Sequence, residues 1–134
     1  MLASVVEGLV VLGELGRAAQ LYPLVRELVD TGAVTLFPIF RFTHTIAGIG
    51  AAAARQWGAA EDHFEAALHQ AESLPYLLEQ AEIRRFHAMM LMERGRLADR
   101  KRTRRMLTMA LETYTSIGMP LHCDLTKGLV DRLH

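Results

Sequence analysis

Cysteine is almost absent from this sequence, since its 134 residues include only Cys123. A single thiol excludes an intramolecular disulfide framework and any zinc cluster built from cysteines, and it is compatible with a reducing compartment. An excess of charge of one sign is also missing, because 15 basic side chains balance 15 acidic ones. Without a net charge, no global field draws the chain to nucleic acid or to an anionic membrane.

Long uncharged segments and targeting signals are missing as well. No such run reaches the ~18 residues that a membrane span requires. The apolar N-terminus has no basic segment before it and is interrupted by Glu7, so it does not resemble a signal peptide. The cytoplasm is therefore the expected location. Because the chain begins inside an apolar helical pattern without a capping residue, we expect it to be a fragment of a larger protein.

The sequence is rich in helix-forming residues, with Ala, Leu, Glu, Arg and Met prominent. Apolar residues recur at helical spacing and predict an all-α fold. Asp99 is the expected N-cap of the sixth helix, and Pro23 is expected to kink the second helix or delay its start. Residues 33–39 lean towards β structure, but Pro38 and the lack of a partner strand favour an extended connector. The predicted helices cover about residues 2–12, 17–30, 40–55, 59–73, 76–94, 99–117 and 121–133.

One spacing recurs along the chain. Gly13, Ala18 and Tyr22 lie at offsets 0, 5 and 9, and the same offsets separate Arg55, Ala60 and Phe64. Gly95 begins a third, longer version that ends at Ala110 and Leu111 after an insertion around residues 97–101. A period of roughly 40 residues is typical of stacked helical hairpins.

These residues resemble tetratricopeptide repeats (TPR). In that family a small residue lies midway along the first helix, as Gly48 does here, and a glycine forms the turn, where this chain has Arg55. The resemblance implies a right-handed α-solenoid of about three TPR-like hairpins plus a C-terminal capping helix. It implies one domain over residues 1–134, with units at about 1–32, 40–75 and 76–118 and a cap at 121–134.

A narrower resemblance is to the C-terminal repeats of large bacterial ATP-binding transcriptional regulators and of cyclase-ATPase signalling proteins. It implies a non-catalytic sensor or docking region that binds a protein, a peptide or other domains of its parent chain. No glycine-rich phosphate loop is present, so no cofactor is expected. Small-molecule sensing and self-association as a homodimer are the alternatives. The family habit of binding along the concave face indicates a groove around His44, Gly48, Arg84, His87 and Leu91.

A dense basic segment covers residues 94–105. One hypothesis is a phosphate-contacting surface for nucleic acid. Zero net charge and the scarcity of nearby aromatic residues favour a solvated turn and outer helix face instead, so nucleic acid is disfavoured as a partner. The predicted basic patch consists of Arg96, Arg100, Lys101, Arg104 and Arg105.

Other polar residues carry little chemical signal. His122, Cys123 and Asp124 are consecutive, so a helix points their side chains about 100° apart, and they are not expected to share a metal. His44 and His87 are expected to face inward as hydrogen-bonded residues. Acidic residues at 61, 62 and 65 have no partner histidine or metal motif in the sequence. We therefore expect no catalytic residues, no metal site and no enzyme activity.

Overall fold

The computed structural model describes residues 2–36 and 41–133, and in these it confirms an all-α chain with seven helices. A short 3-10 helix and one pair of two-residue strands complete the described elements. Their bounds are α1 Leu2–Val11, α2 Leu15–Asp30, β1 Thr35–Leu36, β2 Arg41–Phe42, α3 Thr43–Ala53, α4 Trp57–Ser73, α5 Leu77–Arg94, the 3-10 helix Leu97–Asp99, α6 Arg100–Ile117 and α7 Pro120–Asp131.

The chain divides into two compact units, Met1–Ala67 and Leu68–His134, and α4 runs across the division. Each unit has its own buried residues and its own helix pairs. None of the described helices is both long and apolar enough to cross a lipid bilayer. The organisation of residues 1–134 as a single repeat domain stays a prediction.

In the first unit α1 packs on α2 and α3, and α2 packs on α3. The small residues of α3 allow this close approach. A Cβ atom on Gly48 would lie 2.8 Å from ring atoms of Phe64, and one on Gly50 would lie 3.3 Å from the Cβ of Tyr22. Ala18 and Ala60, the small residues of the recurring spacing, are both fully buried. The small residues at the centre of α3 are thus explained by close packing.

The prediction that the connector has no partner strand was wrong. Thr35 pairs with Phe42 and Leu36 with Arg41 in a short antiparallel ladder, and the backbone N–H of Thr43 donates to the carbonyl of Val34 at 2.9 Å. A two-residue strand is too short for sequence periodicity to reveal. Residues 37–40, which include Pro38 and the predicted start of the third helix, lie outside the described residues.

In the second unit α5 packs on α6, and α6 packs on α7. Helix α5 is buried on nearly all sides, charged residues included. Residues of α5, of α6 and of the C-terminal segment from α7 onward form two clusters of buried residues. One contains Ala81, Ala110, Tyr114 and Cys123, and the other contains Ala88, Leu107, Leu129 and Leu133.

Two local predictions need correction, and a third is narrowed. The spacing of Leu121, Leu125, Leu129 and Leu133 predicts one apolar side for the last helix, but Leu121 and Leu125 are exposed, and Cys123 and Thr126 face inward instead. Asp99 precedes α6 but its side chain caps no backbone N–H, because its carboxylate is bound to Arg94. Pro23 does not delay the second helix, which begins eight residues earlier at Leu15.

Three turns close with the same pair of backbone hydrogen bonds. In each turn, one N–H reaches back three residues and the next N–H reaches back five, as in a Schellman motif. The residue whose N–H reaches back three positions is left-handed in each turn: Gly13 at φ 78°, Arg55 at φ 56° and Gly118 at φ 76°. Arg55 therefore takes a left-handed conformation that glycine usually occupies, at the steric cost of a side chain.

Replacing Gly48 with alanine should destabilise the protein by about 1–3 kcal/mol, because the new methyl group overlaps the buried ring of Phe64. Gly8→Ala is the matched control, since a Cβ there meets nothing within 4 Å. That variant should gain up to ~1 kcal/mol from helix propensity. Urea unfolding of both variants measures the difference, and equal effects would contradict the close packing of α3.

Candidate functional site

The predicted groove residues fall in both units. His44 and Gly48 belong to the first unit, and Arg84, His87 and Leu91 to the second. Gly48, His87 and Leu91 are buried, and Arg84 is nearly so and forms an ion pair with Glu72 at 3.1 Å. Only His44 is partly exposed. As the lining of an open partner groove, this set stays a prediction.

A row of three polar side chains joins three helices of the first unit. The hydroxyl of Tyr22 in α2 lies 3.0 Å from Nε2 of His63 in α4, and Nδ1 of His63 lies 3.1 Å from Nδ1 of His44 in α3. A neutral imidazole has one donor and one acceptor nitrogen. The row can therefore satisfy every contact, with the protons directed from Tyr22 towards His44 or in the opposite direction.

Burial favours the neutral form of both rings. It lowers the pKa of His44 below 6.5. The pKa of His63 is lowered by burial and, to a smaller extent, by the charge of the neighbouring His44. Arg26 acts in the same direction on His63, whereas Asp62 and Asp30 partly oppose the shift. The pair can take up one proton and keep its hydrogen bond. A second proton would bring two N–H groups face to face at 3.1 Å.

A second polar cluster is enclosed in the other unit. Arg85 donates from Nη2 to both carboxylate oxygens of Glu82 at 3.3 and 3.2 Å, and from Nε to the hydroxyl of Tyr114 at 3.2 Å. The hydroxyl of Tyr114 donates in turn to Oε1 of Glu82. All three residues are buried. Since each charged group has its counter-charge and a hydrogen-bond partner, the cluster avoids the cost of an isolated buried charge.

His122 is at the edge of this cluster. Its Nε2 lies 3.7 Å from Oε1 of Glu82, and its ring centroid lies 5.1 Å from that of Tyr114. The neighbouring residues do not join it. Cys123 is buried with its Sγ 3.5 Å from the hydroxyl of Thr115, and Asp124 is exposed near Lys127. The three consecutive residues therefore diverge, as helical geometry predicts.

The predicted basic patch is divided by the fold. Lys101, Arg104 and Arg105 lie exposed on α6, where their spacing puts them on one side of the helix. Arg96 and Arg100 instead line a cavity of about 200 Å³ together with Arg132, which follows α7. Arg132 was missed in the sequence because it lies 32 positions after Arg100, and only the fold brings the two together.

Sequence reasoning also missed Tyr22, Glu82, Arg85 and Tyr114 as members of polar clusters. Tyr22 is recognised in the sequence only as the aromatic residue of the recurring spacing, and Glu82 and Arg85, three positions apart, are not singled out there. The usable signal was a charged pair on a helix whose other residues are largely apolar. In the described part of the chain, no three His, Cys, Asp or Glu side chains are grouped as a metal site.

No protein-family model, no curated protein and no solved structure matches this chain.

Stability should fall as the pH is lowered from about 7.5 to 5.5, around the imidazole pKa of about 6.5 in an unfolded chain. The reason is that the folded pKa of His44 and His63 is lowered, so the unfolded state takes up protons first. Urea unfolding at several pH values of the wild type and His63→Phe measures the effect. The variant should show a smaller slope. His69→Gln, which removes an exposed imidazole from the same helix, should keep the wild-type slope, and an unchanged slope in His63→Phe would contradict the assignment.

Replacing Tyr114 with phenylalanine should lower the free energy of unfolding by about 1–3 kcal/mol, because Arg85 and Glu82 lose a buried partner. A double-mutant cycle with Glu82→Gln tests the contact. The loss of unfolding free energy in the double variant should differ from the sum of the two single losses by more than about 0.5 kcal/mol. Additive losses would show that the hydroxyl and the carboxylate do not interact.

Proposed function

We propose that this chain is a non-catalytic, TPR-like helical module of solenoid form that binds another protein through the exposed side of α1. The observation that carries the proposal is the apolar character of that side. Of the ten residues of α1, only Ala3 and Val6 are buried. A helix that is apolar on all sides is normally enclosed, whereas here Val5, Val11 and Leu12 are exposed.

The exposed apolar residues cluster in α1 and the turn that follows it. Val5 and the partly exposed Leu9 lie on one side of α1, and Leu12 continues their spacing in the turn after the helix. Leu15 at the start of α2 extends the surface beyond the turn at Gly13. Leu12 is 78% exposed. Contiguous apolar surface of this kind is typical of sites where proteins dock.

A cleft beside these residues provides room for a partner side chain. Its volume is about 380 Å³, and Ser4, Gly8, Val11, Glu7 and Arg41 line it. Nothing lies within 4 Å of a Cβ added to Gly8. Two of the lining side chains hold each other in place, because Arg41 donates to both carboxylate oxygens of Glu7 at 3.1 and 2.8 Å. An amphipathic helix fits this combination of an apolar ridge and an adjoining cleft.

Two further observations support the repeat character of the module. The closing geometry of the turns at Gly13, Arg55 and Gly118 is shared. Helices that follow each other in sequence pack on each other within each unit. In the fuller form of the proposal, the chain is the sensor or docking part of a bacterial cytoplasmic signalling protein or transcriptional regulator. This part of the proposal rests on the sequence resemblance.

Replacing Leu12 with glutamate should weaken docking on α1. The experiment uses a second copy of the chain as the binding partner, which offers the same exposed side of α1. Burying one leucine side chain is worth about 1.5–3 kcal/mol, so the self-association constant should fall about tenfold or more. Sedimentation velocity over a concentration series measures association, and fluorescence of a bound apolar dye reports the free surface.

Leu97→Glu is the matched control, because Leu97 is 80% exposed and lies in the second unit. It should leave both readouts at the wild-type level. If the wild type is monomeric at every concentration and binds no more dye than Leu12→Glu, α1 is not a docking surface. Equal losses in both variants would also contradict the proposal, since they would reflect charge alone.

A further inference from the structure

Arginine side chains converge on the cavity of about 200 Å³ in the second unit. Arg96 comes from the turn after α5, Arg100 from the first residue of α6, and Arg132 from the end of α7. Leu97 and Leu133 contribute apolar lining. Three helix ends therefore direct cationic side chains to one small concave site.

The acidic residue of this site is already neutralised. Oδ2 of Asp99 accepts hydrogen bonds from Nε and Nη2 of Arg94 at 3.0 and 2.9 Å. Both side chains of this pair are largely buried. The pair carries no net charge, so it does not offset the charges of the three arginines that line the cavity.

The remaining cations have no carboxylate against them in the described part of the chain. Arg100 donates from Nη2 to the backbone carbonyl of Leu133, which is a neutral acceptor. Neither Arg96 nor Arg132 has an ion pair with a described residue. Like charges held close to one another are unfavourable, and an anion in the cavity would remove that cost.

We propose that this cavity binds a single phosphoryl group carried by a small molecule. The planar guanidinium group donates two parallel hydrogen bonds to phosphate oxygens, which is why arginine is common at phosphate sites. The volume of about 200 Å³ is below the ~300–1,000 Å³ of pockets that enclose whole drug-sized ligands. The site therefore holds the phosphoryl group, and the rest of the molecule stays outside.

Nucleic acid is the competing occupant, and the position of the other basic residues disfavours it. Lys101, Arg104 and Arg105 lie on an exposed helix side and do not line the cavity. A duplex bound through the basic segment would contact these residues first. The affinity for a small phosphate would depend on Arg132, which is far from the basic segment in sequence, and would not depend on Arg104.

Calorimetric titration at constant ionic strength tests the proposal with inorganic phosphate, with phosphoserine as a small monoester, and with a short DNA duplex. Both small phosphates should bind saturably with one site. Arg132→Gln and Arg96→Gln should each weaken that binding about tenfold, the loss expected for one charge-assisted contact. Arg104→Gln is the matched control, since it removes the same charge from α6 outside the cavity, and it should leave the affinity unchanged.

Each other outcome counts against the site. Absence of saturable phosphate binding overturns it, provided that circular dichroism shows the wild type to be folded. Equal losses in Arg104→Gln and Arg132→Gln would indicate a diffuse basic surface. Binding of the duplex but not of the small phosphates would assign the segment to nucleic acid. Because Arg96→Gln and Arg132→Gln alter different elements, a folding defect in one leaves the other to decide. The site belongs to the second unit, so its failure leaves the proposed docking on α1 unaffected.

Discussion

The contact between the glycines of α3 and two aromatic rings sets the geometry of the first unit. With hydrogen in place of a side chain, Gly48 lets the ring of Phe64 lie against the backbone of α3, and Gly50 does the same for Tyr22. His44 is one helical turn before Gly48, and His63 precedes Phe64. The packing that brings Phe64 to Gly48 therefore also brings His63 to His44. The row of hydrogen bonds from Tyr22 to His44 depends on this apolar contact.

The same dependence of polar groups on apolar packing appears in the second unit. Tyr114 belongs to the buried cluster with Ala81, Ala110 and Cys123, and its ring packing holds the hydroxyl between Arg85 and Glu82. Burial and the charge of Glu82 raise the pKa of Tyr114 above its ordinary value of 10.0, so the phenol remains protonated and able to donate. A buried charged pair adds little stability by itself. Glu82 and Arg85 both lie on α5, so the contact that joins α5 to α6 in this cluster is the hydroxyl of Tyr114, which bonds to both charged groups.

The helices were predictable from the sequence because their signals are local. Periodicity located all seven, and the glycines at 95 and 118 follow two helix ends, where both are left-handed. The errors arose where a distant residue decides. Asp99 was assigned to a cap, but Arg94 outcompetes the backbone N–H groups for its carboxylate. The leucine spacing of the last helix predicts the wrong buried side, because the small Cys123 and Thr126 face the core in place of Leu121 and Leu125, which hydrophobicity alone does not indicate. A strand pair of two residues has no period to detect.

The candidate sites were less predictable than the helices, because each joins residues that helical spacing does not relate. The sequence relates neither His44 to His63 nor Arg100 to Arg132, because no local pattern links either pair. The basic segment shows why. Counted along the chain it is one patch, yet a helix distributes its residues over all sides. Arg94 is used in an ion pair with Asp99, Arg96 and Arg100 line a cavity, and Lys101, Arg104 and Arg105 lie exposed on α6. The charge density of a segment therefore overstates the charge at any one surface, and a site forms only where a second element adds to the same side, as α7 does with Arg132.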